Sequence, residues 1–193
     1  STVYVLQSTL SANRSVGRNS QASFTVRTNT STHFQQWQQT YIYDQLSNLA
    51  FSGYITSPKE QKIGYQDTLI HTITCVDQHY LATKRRVAAT YLNKTCGYIV
   101  QDIAINILSQ EGVTIGQIYD GQTPNTTLYP SPTLYPGGNV GLIPSATLVY
   151  AKVSDVFDAL VQAASASGVL YYWMIDQYKV LWFVPYTSII NAT

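Results

Sequence analysis

Apolar and polar residues alternate in several short runs over the first 77 positions. In the clearest run, Ala22, Phe24 and Val26 are separated by polar residues, which is the pattern of a half-buried β-strand. The pattern predicts further strands at residues 1–10, 41–44, 49–57 and 68–77. Polar connections are predicted between them, at residues 11–21, 28–39 and 58–66. Gly53 interrupts one strand and indicates a bulge or a bend there.

The hydrophobic period changes to a helical one after Asp77. A short helical turn and a basic segment come first, and a long helix follows, which Asn93 or Thr95 would cap. Gly112 is suited to end this helix in the left-handed conformation. Its apolar stripe comprises Ile99, Val100, Ile103, Ile107 and Leu108.

A second helix is predicted after a strand at residues 113–119 and a long loop at residues 120–144. Ser154 is its candidate N-cap and Gly168 its end. Its apolar face comprises Val156, Phe157, Leu160, Val161 and Ala164. Residues 169–175 and 180–184 then predict a β-hairpin. Tyr171, Trp173 and Ile175 would share one face of its first strand, and Trp182 and Val184 one face of its second.

These elements predict an α+β fold in two parts. Residues 1–87 would form a β-barrel or β-sandwich portion. Residues 88–193 would form a small α+β module with two helices and a β-hairpin, interrupted by the loop at residues 120–144.

Composition narrows the range of functions. Only 11% of the residues are charged and the formal net charge is +1, so the chain lacks the basic surplus that a nucleic-acid-binding protein needs. No apolar run is long enough to predict a transmembrane segment. The polar start predicts no signal peptide.

Cys75 and Cys96 are the only cysteines. Two buried free thiols are favoured over a disulfide, which spacing cannot exclude.

The densest group of ionisable residues lies at positions 77–86. Asp77 and His79 could form an acid/base pair, but no serine or cysteine lies in a nucleophile motif beside them. A structural interpretation is favoured, in which Asp77 caps the turn that follows. Arg85 or Arg86 would pair with Asp77 or with a neighbouring chain.

Other chemistry finds little support in the sequence. His33, His71 and His79 lack zinc-type spacing, the carboxylates are scattered rather than paired, and no Gly-rich nucleotide loop occurs. The sequence therefore predicts no catalytic residue, no metal ligand and no cofactor. One alternative is a sugar-binding platform on the hairpin, although these aromatics are more often core residues. Its aromatic residues are Tyr171, Tyr172, Trp173 and Trp182.

Three segments resemble the tail hub, or baseplate hub, proteins of tailed bacteriophages. The first is LAFSGYITSPKEQ followed by HTITCVDQHYLATKRRV, with a C-x-D-x-x-x-L strand end and a basic corner. The second is YLNKTCGYIVQDIAINILSQEGV, whose helix opens with T-x-G-x-I-V-x-D. The third is VYAKVSDVFDALVQAASASGVLYYWMIDQYKVLWFVP. Together they cover about half of the chain.

The resemblance implies a tail-tube-like barrel with an α+β module attached, and a structural rather than enzymatic role. The chain would form a ring, as a homotrimer, that joins the tail tube to the tip and takes part in host attachment and DNA ejection. Its partners would be itself, the tail tube or distal tail protein, and the tape-measure or tip and fibre proteins. It would reside at the tail tip of the virion after synthesis in the bacterial cytoplasm.

On this interpretation the ionisable group contributes to an interface. Its residues are Lys84, Arg85, Arg86, Asp77 and His79, either between the two parts of the chain or at a subunit contact. Hubs are usually longer than this chain, which predicts that it is a fragment whose barrel is completed elsewhere. A carbohydrate-binding tail-tip module is the main alternative, and a cell-wall hydrolase is a weaker one.

Overall fold

The computed structural model describes residues 3–6, 9–13, 19–29, 31–63, 68–119, 141–166 and 168–186. The chain divides into two compact units, Ser1–Tyr80 and Leu81–Thr193. The division falls after Tyr80 rather than after Val87, because the strand that contains Val87 pairs within the second unit. Each unit has its own sheets and its own buried side chains.

The first unit is a five-stranded antiparallel sheet that curls into a half-barrel. Its strands are β1 (Ser11–Asn13), β2 (Gln21–Asn29), β3 (Gln39–Tyr43), β4 (Leu49–Lys62) and β5 (Thr68–Asp77). They lie in the order β1-β2-β5-β4-β3. The helix α1 (Tyr80–Lys84) begins at the last residue of this unit. The predicted α+β class with a barrel-like portion is confirmed.

Alternation along the strands places one set of side chains in the core of the sheet. Ala22, Phe24 and Val26 of β2 are buried as predicted. They pack with buried residues of the neighbouring strands, which are Ile42, Phe51, Ile55, Ile73 and Cys75. Burial of this apolar surface is the main force that holds the sheet curled.

Gly53 does not form the predicted bulge. The register of β4 against β5 shifts between Ile55 and Ser57 instead. Gly53 lies so close to the neighbouring strand that a Cβ atom would be 1.9 Å from the Val76 carbonyl oxygen. Its role is therefore to let two backbones approach. The strand also continues to Lys62, through residues where a polar connection was predicted.

The predicted strand at residues 1–10 is wrong in the part that the structure describes. Val5 forms an isolated bridge with Val26, and the Leu6 amide donates to the Thr25 carbonyl at 2.8 Å. Extended pairing instead occurs at Ser11–Asn13, the beginning of a predicted polar loop. Polar composition misled the prediction, because β1 is an exposed edge strand that buries no side chain.

The second unit combines helices with two small sheets. Its elements are β6 (Arg86–Thr95), α2 (Cys96–Asn106), a 3-10 helix (Leu108–Glu111), β7 (Thr114–Ile118), β8 (Leu142–Lys152), α3 (Val153–Ser165), β9 (Tyr171–Ile175) and β10 (Val180–Pro185). The strands β6 and β8 form an antiparallel ribbon. The third sheet has the order β7-β10-β9, with β7 parallel to β10. The predicted hairpin is β9–β10.

The helix signals of the sequence were correct in part. Thr95 caps α2, since its side-chain oxygen accepts from the Tyr98 amide at 3.2 Å. Gly112 adopts the left-handed conformation with φ 76°, but it ends the 3-10 helix rather than α2, which already ends at Asn106. Ser154 is not the cap of α3, because the helix already begins at Val153 and its N-cap residue is Lys152.

The core of the second unit lies between the helices and the hairpin. Phe157 of α3 and Trp173 of β9 are fully buried, with their rings in a T-shaped contact at 5.1 Å. The Trp173 indole donates to Asp158 at 2.7 Å, which satisfies the polar atom of a buried ring.

The ribbon β6–β8 was not predicted from the sequence. Most of the loop predicted at residues 120–144 lies outside the described residues, but its end belongs to β8.

Both cysteines are free and buried, as the sequence favoured. Cys75 lies in the first unit and Cys96 in the second. Burial raises the pKa of each thiol from 9.0 to about 11. No helix among the described residues is long and apolar enough to span a membrane.

Candidate interface residues

Asp77 ends β5 and fixes the backbone around it. One carboxylate oxygen accepts from the Ser20 amide at 2.9 Å and the other from the His79 amide at 3.2 Å. Burial raises the pKa of Asp77, and these hydrogen bonds oppose that effect. The predicted capping of the following turn by Asp77 is confirmed.

His79 is buried within the chain, with 4% of its surface exposed. Burial lowers the pKa of His79 from 6.5 to about 4, because the charged imidazolium is poorly solvated there. The side chain is therefore neutral at pH 7. Its neighbour Gln78 is also buried and donates to the Ser52 hydroxyl at 2.7 Å.

Lys84 and Arg85 share one carboxylate within the second unit. Glu111 accepts from the Lys84 ammonium at 2.6 Å and from Nε of Arg85 at 2.6 Å, and it also contacts Nη2 of Arg85. Burial acts to raise the pKa of Glu111, but the hydrogen bonds and charges of the two cations outweigh it and lower the pKa. Glu111 follows α2 in the 3-10 helix, so these contacts fix the end of that helical segment against α1.

Arg86 is placed differently from the other two basic residues. It is exposed, and its guanidinium donates to the Thr83 and Arg85 carbonyls at 3.0 and 3.3 Å. It makes no ion pair within the part of the chain that the structure describes. Arg86 lies directly opposite Lys152 on the ribbon. Like charges in such a pair disfavour the sheet.

The predicted set therefore has members with different surroundings. Asp77 and His79 support the backbone and the interior of the first unit. Lys84 and Arg85 are neutralised in part by Glu111 in the second. Arg86, together with Lys152, presents positive charge that no described carboxylate pairs with. Among the predicted cations, Arg86 differs in being exposed without an ion pair to a described carboxylate.

The ribbon carries a second feature that the sequence did not reveal. Val149 and Tyr150 of β8 stand opposite the single residue Ala88 of β6, which is a β-bulge. Tyr150 has φ 49°, a conformation that bulky residues rarely adopt. The two side chains are 74% and 77% exposed. The alternating residues Val87, Ala89 and Tyr91 were the available signal for β6.

The structure does not support a sugar platform on the hairpin. Trp173 is buried and Trp182 is half-buried. The Trp182 indole donates to Asp176 at 3.0 Å, and the ring lies where a side chain on Gly116 would stand. These rings are used for packing within the unit. No group of three potential metal ligands occurs among the described residues.

Comparison with known proteins gives one result for the sequence of this chain and another for its fold. No protein-family model matches the sequence, and no curated protein matches it significantly. Solved structures of two prophage tail proteins and of a type VI secretion component do match the fold, although their sequences are only 9–13% identical to this one.

Three of these structures span most of the chain. The 43 kDa tail protein of prophage MuSo2 from Shewanella oneidensis gives a TM-score of 0.57 at 9% identity, over 86% of this chain and 46% of that protein. The E. coli c3393 protein gives 0.56 at 13% identity, over 94% and 47%. It is a component of the type VI secretion system with structural similarity to the T4 bacteriophage tail proteins gp27 and gp5. Prophage tail protein gp18 from Listeria monocytogenes EGD-e gives 0.55 at 11% identity, over 93% and 44%.

The chain spans less than half the length of each of these proteins. The likeness covers both compact units, since the matched share exceeds what either unit alone would supply. The resemblance predicted from three sequence segments is thus confirmed at the level of the fold: this chain has the fold of phage tail proteins.

Proposed function

We propose that this chain is a structural component of the tail-tip hub of a bacteriophage or prophage particle. It would form part of a homotrimeric ring between the tail tube and the tip, and would contribute to host attachment and DNA ejection. The observation that carries the proposal is the fold shared with three tail-type proteins over 86–94% of the chain. Assembly, rather than catalysis, is the proposed mechanism.

The charges of the second unit suggest where such an assembly would be held. Arg86 and Lys152 are adjacent on the exposed ribbon and carry the same charge. A carboxylate from a neighbouring subunit or tail protein would relieve their repulsion and form charge-assisted hydrogen bonds. Charges placed in this way favour the correct partner and orientation more than they favour raw affinity.

Arg86→Ala is the sharpest substitution to test this interface. We expect ring assembly to weaken while the isolated chain keeps its fold, because the hydrogen bonds of this side chain to the described residues go to backbone carbonyls. Arg85→Ala is less informative, since it also breaks the contact with Glu111. Lys62→Ala is a matched control, because Lys62 is an exposed cation at the end of β4.

Analytical ultracentrifugation and negative-stain electron microscopy measure the outcome. The expected result is a ring of three copies for the parent chain and for Lys62→Ala, and a shift to monomer for Arg86→Ala. Immunogold labelling of particles with an antibody to the chain should place it at the tail tip. A chain that remains monomeric, or label on the capsid or tube shaft, would contradict the proposal.

A further inference from the structure

Trp37 in the first unit has an unusual backbone conformation for its size. Its φ is 68°, in the left-handed region that glycine and asparagine adopt far more readily. The residue is nevertheless 47% exposed, so about half of its surface is available to a ligand. Strained residues of this kind tend to occur where a protein binds something.

The backbone around Trp37 is held firmly in place. The Trp37 amide donates to the Ile55 carbonyl at 2.6 Å, and the Ile55 amide donates back to the Gln38 carbonyl at 3.0 Å. The Gln36 side chain donates to the Thr56 carbonyl at 3.0 Å. These contacts attach the turn to the register shift in β4 between Ile55 and Ser57. The bulge therefore fixes the position of the indole.

The indole lies flat against Tyr80. The two ring centroids are 4.9 Å apart and the planes differ by 7°. Tyr54 supports Tyr80 from the side, at 6.3 Å and 56°. Tyr80 covers one face of the indole, while 47% of the surface of Trp37 stays exposed. The result is a flat aromatic surface that is partly open to solvent.

The neighbourhood of this surface in the sequence carries no charge. The segment FQQWQQTYIY at residues 34–43 has four glutamines and two tyrosines, without an acidic or basic residue. Tyr41 and Tyr43 of the adjoining strand are 49% and 59% exposed. Glutamine amides and tyrosine hydroxyls can each donate and accept hydrogen bonds. A nucleic-acid strand would instead require lysine or arginine for its phosphates.

We propose that Trp37, supported by Tyr80, is a stacking platform for a neutral sugar ring. The C–H bonds on one face of a pyranose pack well against the electron-rich face of an indole. Its hydroxyl groups match the exposed tyrosine hydroxyls and the amide atoms that Gln36 and Gln38 do not use within the described part of the chain. A protein contact is the competing explanation, since tryptophan and tyrosine are also enriched at the hot spots of protein interfaces, and the experiment below separates the two. The inference does not depend on the proposed place of the chain in a tail.

The experiment titrates the intact chain with neutral sugars. The probes are glucose, galactose and N-acetylglucosamine, and the linear tetramers of each, followed by calorimetry and by the indole N–H resonances in a 15N spectrum. We expect millimolar or tighter binding of at least one tetramer and a shift of the Trp37 resonance. Loss of one stacking contact should weaken that binding by roughly tenfold or more.

Trp37→Gly provides the decisive variant, because glycine adopts the same φ without strain. It should keep the fold, measured by circular dichroism and thermal melting, and lose the sugar. Trp37→Asn is a second choice if the glycine variant is unstable. Tyr178→Ser is the matched control, since Tyr178 is a 67% exposed aromatic residue of the second unit, and it should bind as the parent does.

Several outcomes would overturn the inference. They are no binding of any probe at about 10 mM, equal binding by Trp37→Gly, or a Trp37 resonance unmoved at saturation. Equal competition by single-stranded DNA or an anionic polysaccharide would overturn the assignment to neutral sugars. If Trp37→Gly abolished assembly of the chain and no sugar bound, the ring would be a protein contact instead.

Discussion

The two units stabilise their buried polar groups with different kinds of partner. The first unit buries two imidazoles whose pKa is lowered by burial: His71 is 1% exposed and His79 is 4% exposed. Its carboxyl group Asp77 is held by backbone amides, whereas Glu111 of the second unit is held by the cations Lys84 and Arg85. Burial penalises a charge unless hydrogen bonds or opposite charges offset the lost solvation. The two units should therefore respond differently to substitution, acid and salt.

The largest difference is expected at two glycines that serve different purposes. Gly53→Ala should destabilise the first unit by about 3 kcal/mol or more, since the new Cβ overlaps the Val76 carbonyl. Gly112→Ala in the second unit meets open space and carries only the strain of φ 76°, worth about 1 kcal/mol. Urea unfolding of both variants measures the two losses. Equal losses would show that β4 and β5 move apart easily.

The second-largest difference is expected in how the free energy of unfolding of each unit depends on acid pH. The pKa of His79 is lowered on folding from 6.5 to about 4, so the unfolded chain binds more protons between those values. Stability must then fall as the pH drops from 6.5 towards 4, by up to about 3 kcal/mol. His71 acts in the same direction, because burial also lowers its pKa.

Urea unfolding at a series of pH values measures this effect. His79→Gln should flatten the dependence between pH 6.5 and 4, whatever its effect on absolute stability. His33→Gln is the comparison variant: that side chain is largely exposed, pairs with Glu60 at 2.8 Å, and its replacement should leave the slope contributed by His79 in place. An unchanged slope in His79→Gln would place the proton uptake elsewhere.

A smaller effect on stability than at Gly53 or His79 is expected at the ion pairs of the second unit. Glu111→Gln should cost about 1–2 kcal/mol, because two charge-assisted hydrogen bonds are weakened at a partly buried position. The pKa of Glu111 is lowered on folding, so its contribution is present above the unfolded value near 4.5 and is lost as the pH falls below it.

Salt provides a further measurement of that contribution. Screening should reduce the cost of Glu111→Gln in 1 M NaCl relative to low salt. Arg86→Ala, by contrast, should change the stability of the isolated chain by less than about 0.5 kcal/mol. A larger loss at Arg86 than at Glu111 would reverse the assignment of structural and exposed charges.

The elements that follow a clean hydrophobic period were predictable from the sequence. Strand β2 and helix α2 bury one regular set of side chains each, and the caps at Thr95 and Gly112 are local signals. The ribbon was not predictable in the same way. Ala88 and Ala89 in β6 carry little apolar contrast, and the bulge at Tyr150 breaks the period of two in β8.

In the candidate site, too, contacts between residues far apart in the sequence could not be predicted. Sequence analysis identified Lys84 and Arg85 as a basic corner but could not supply their partner Glu111, which lies 26 positions beyond Arg85. It also missed the stack of Trp37 on Tyr80, because neither residue belongs to a periodic pattern. Such pairs form because the packing of strands and helices brings distant residues together, and the local sequence pattern around either residue does not show this.

The two buried thiols turn the chain into its own folding reporter. Each unit holds one cysteine with no exposed surface, and a pKa near 11 leaves almost no reactive thiolate at neutral pH. Alkylation of Cys75 then requires the half-barrel to open, and alkylation of Cys96 requires the helical unit to open. Pulse labelling followed by peptide mass spectrometry can therefore time the opening of each unit separately, without any engineered probe.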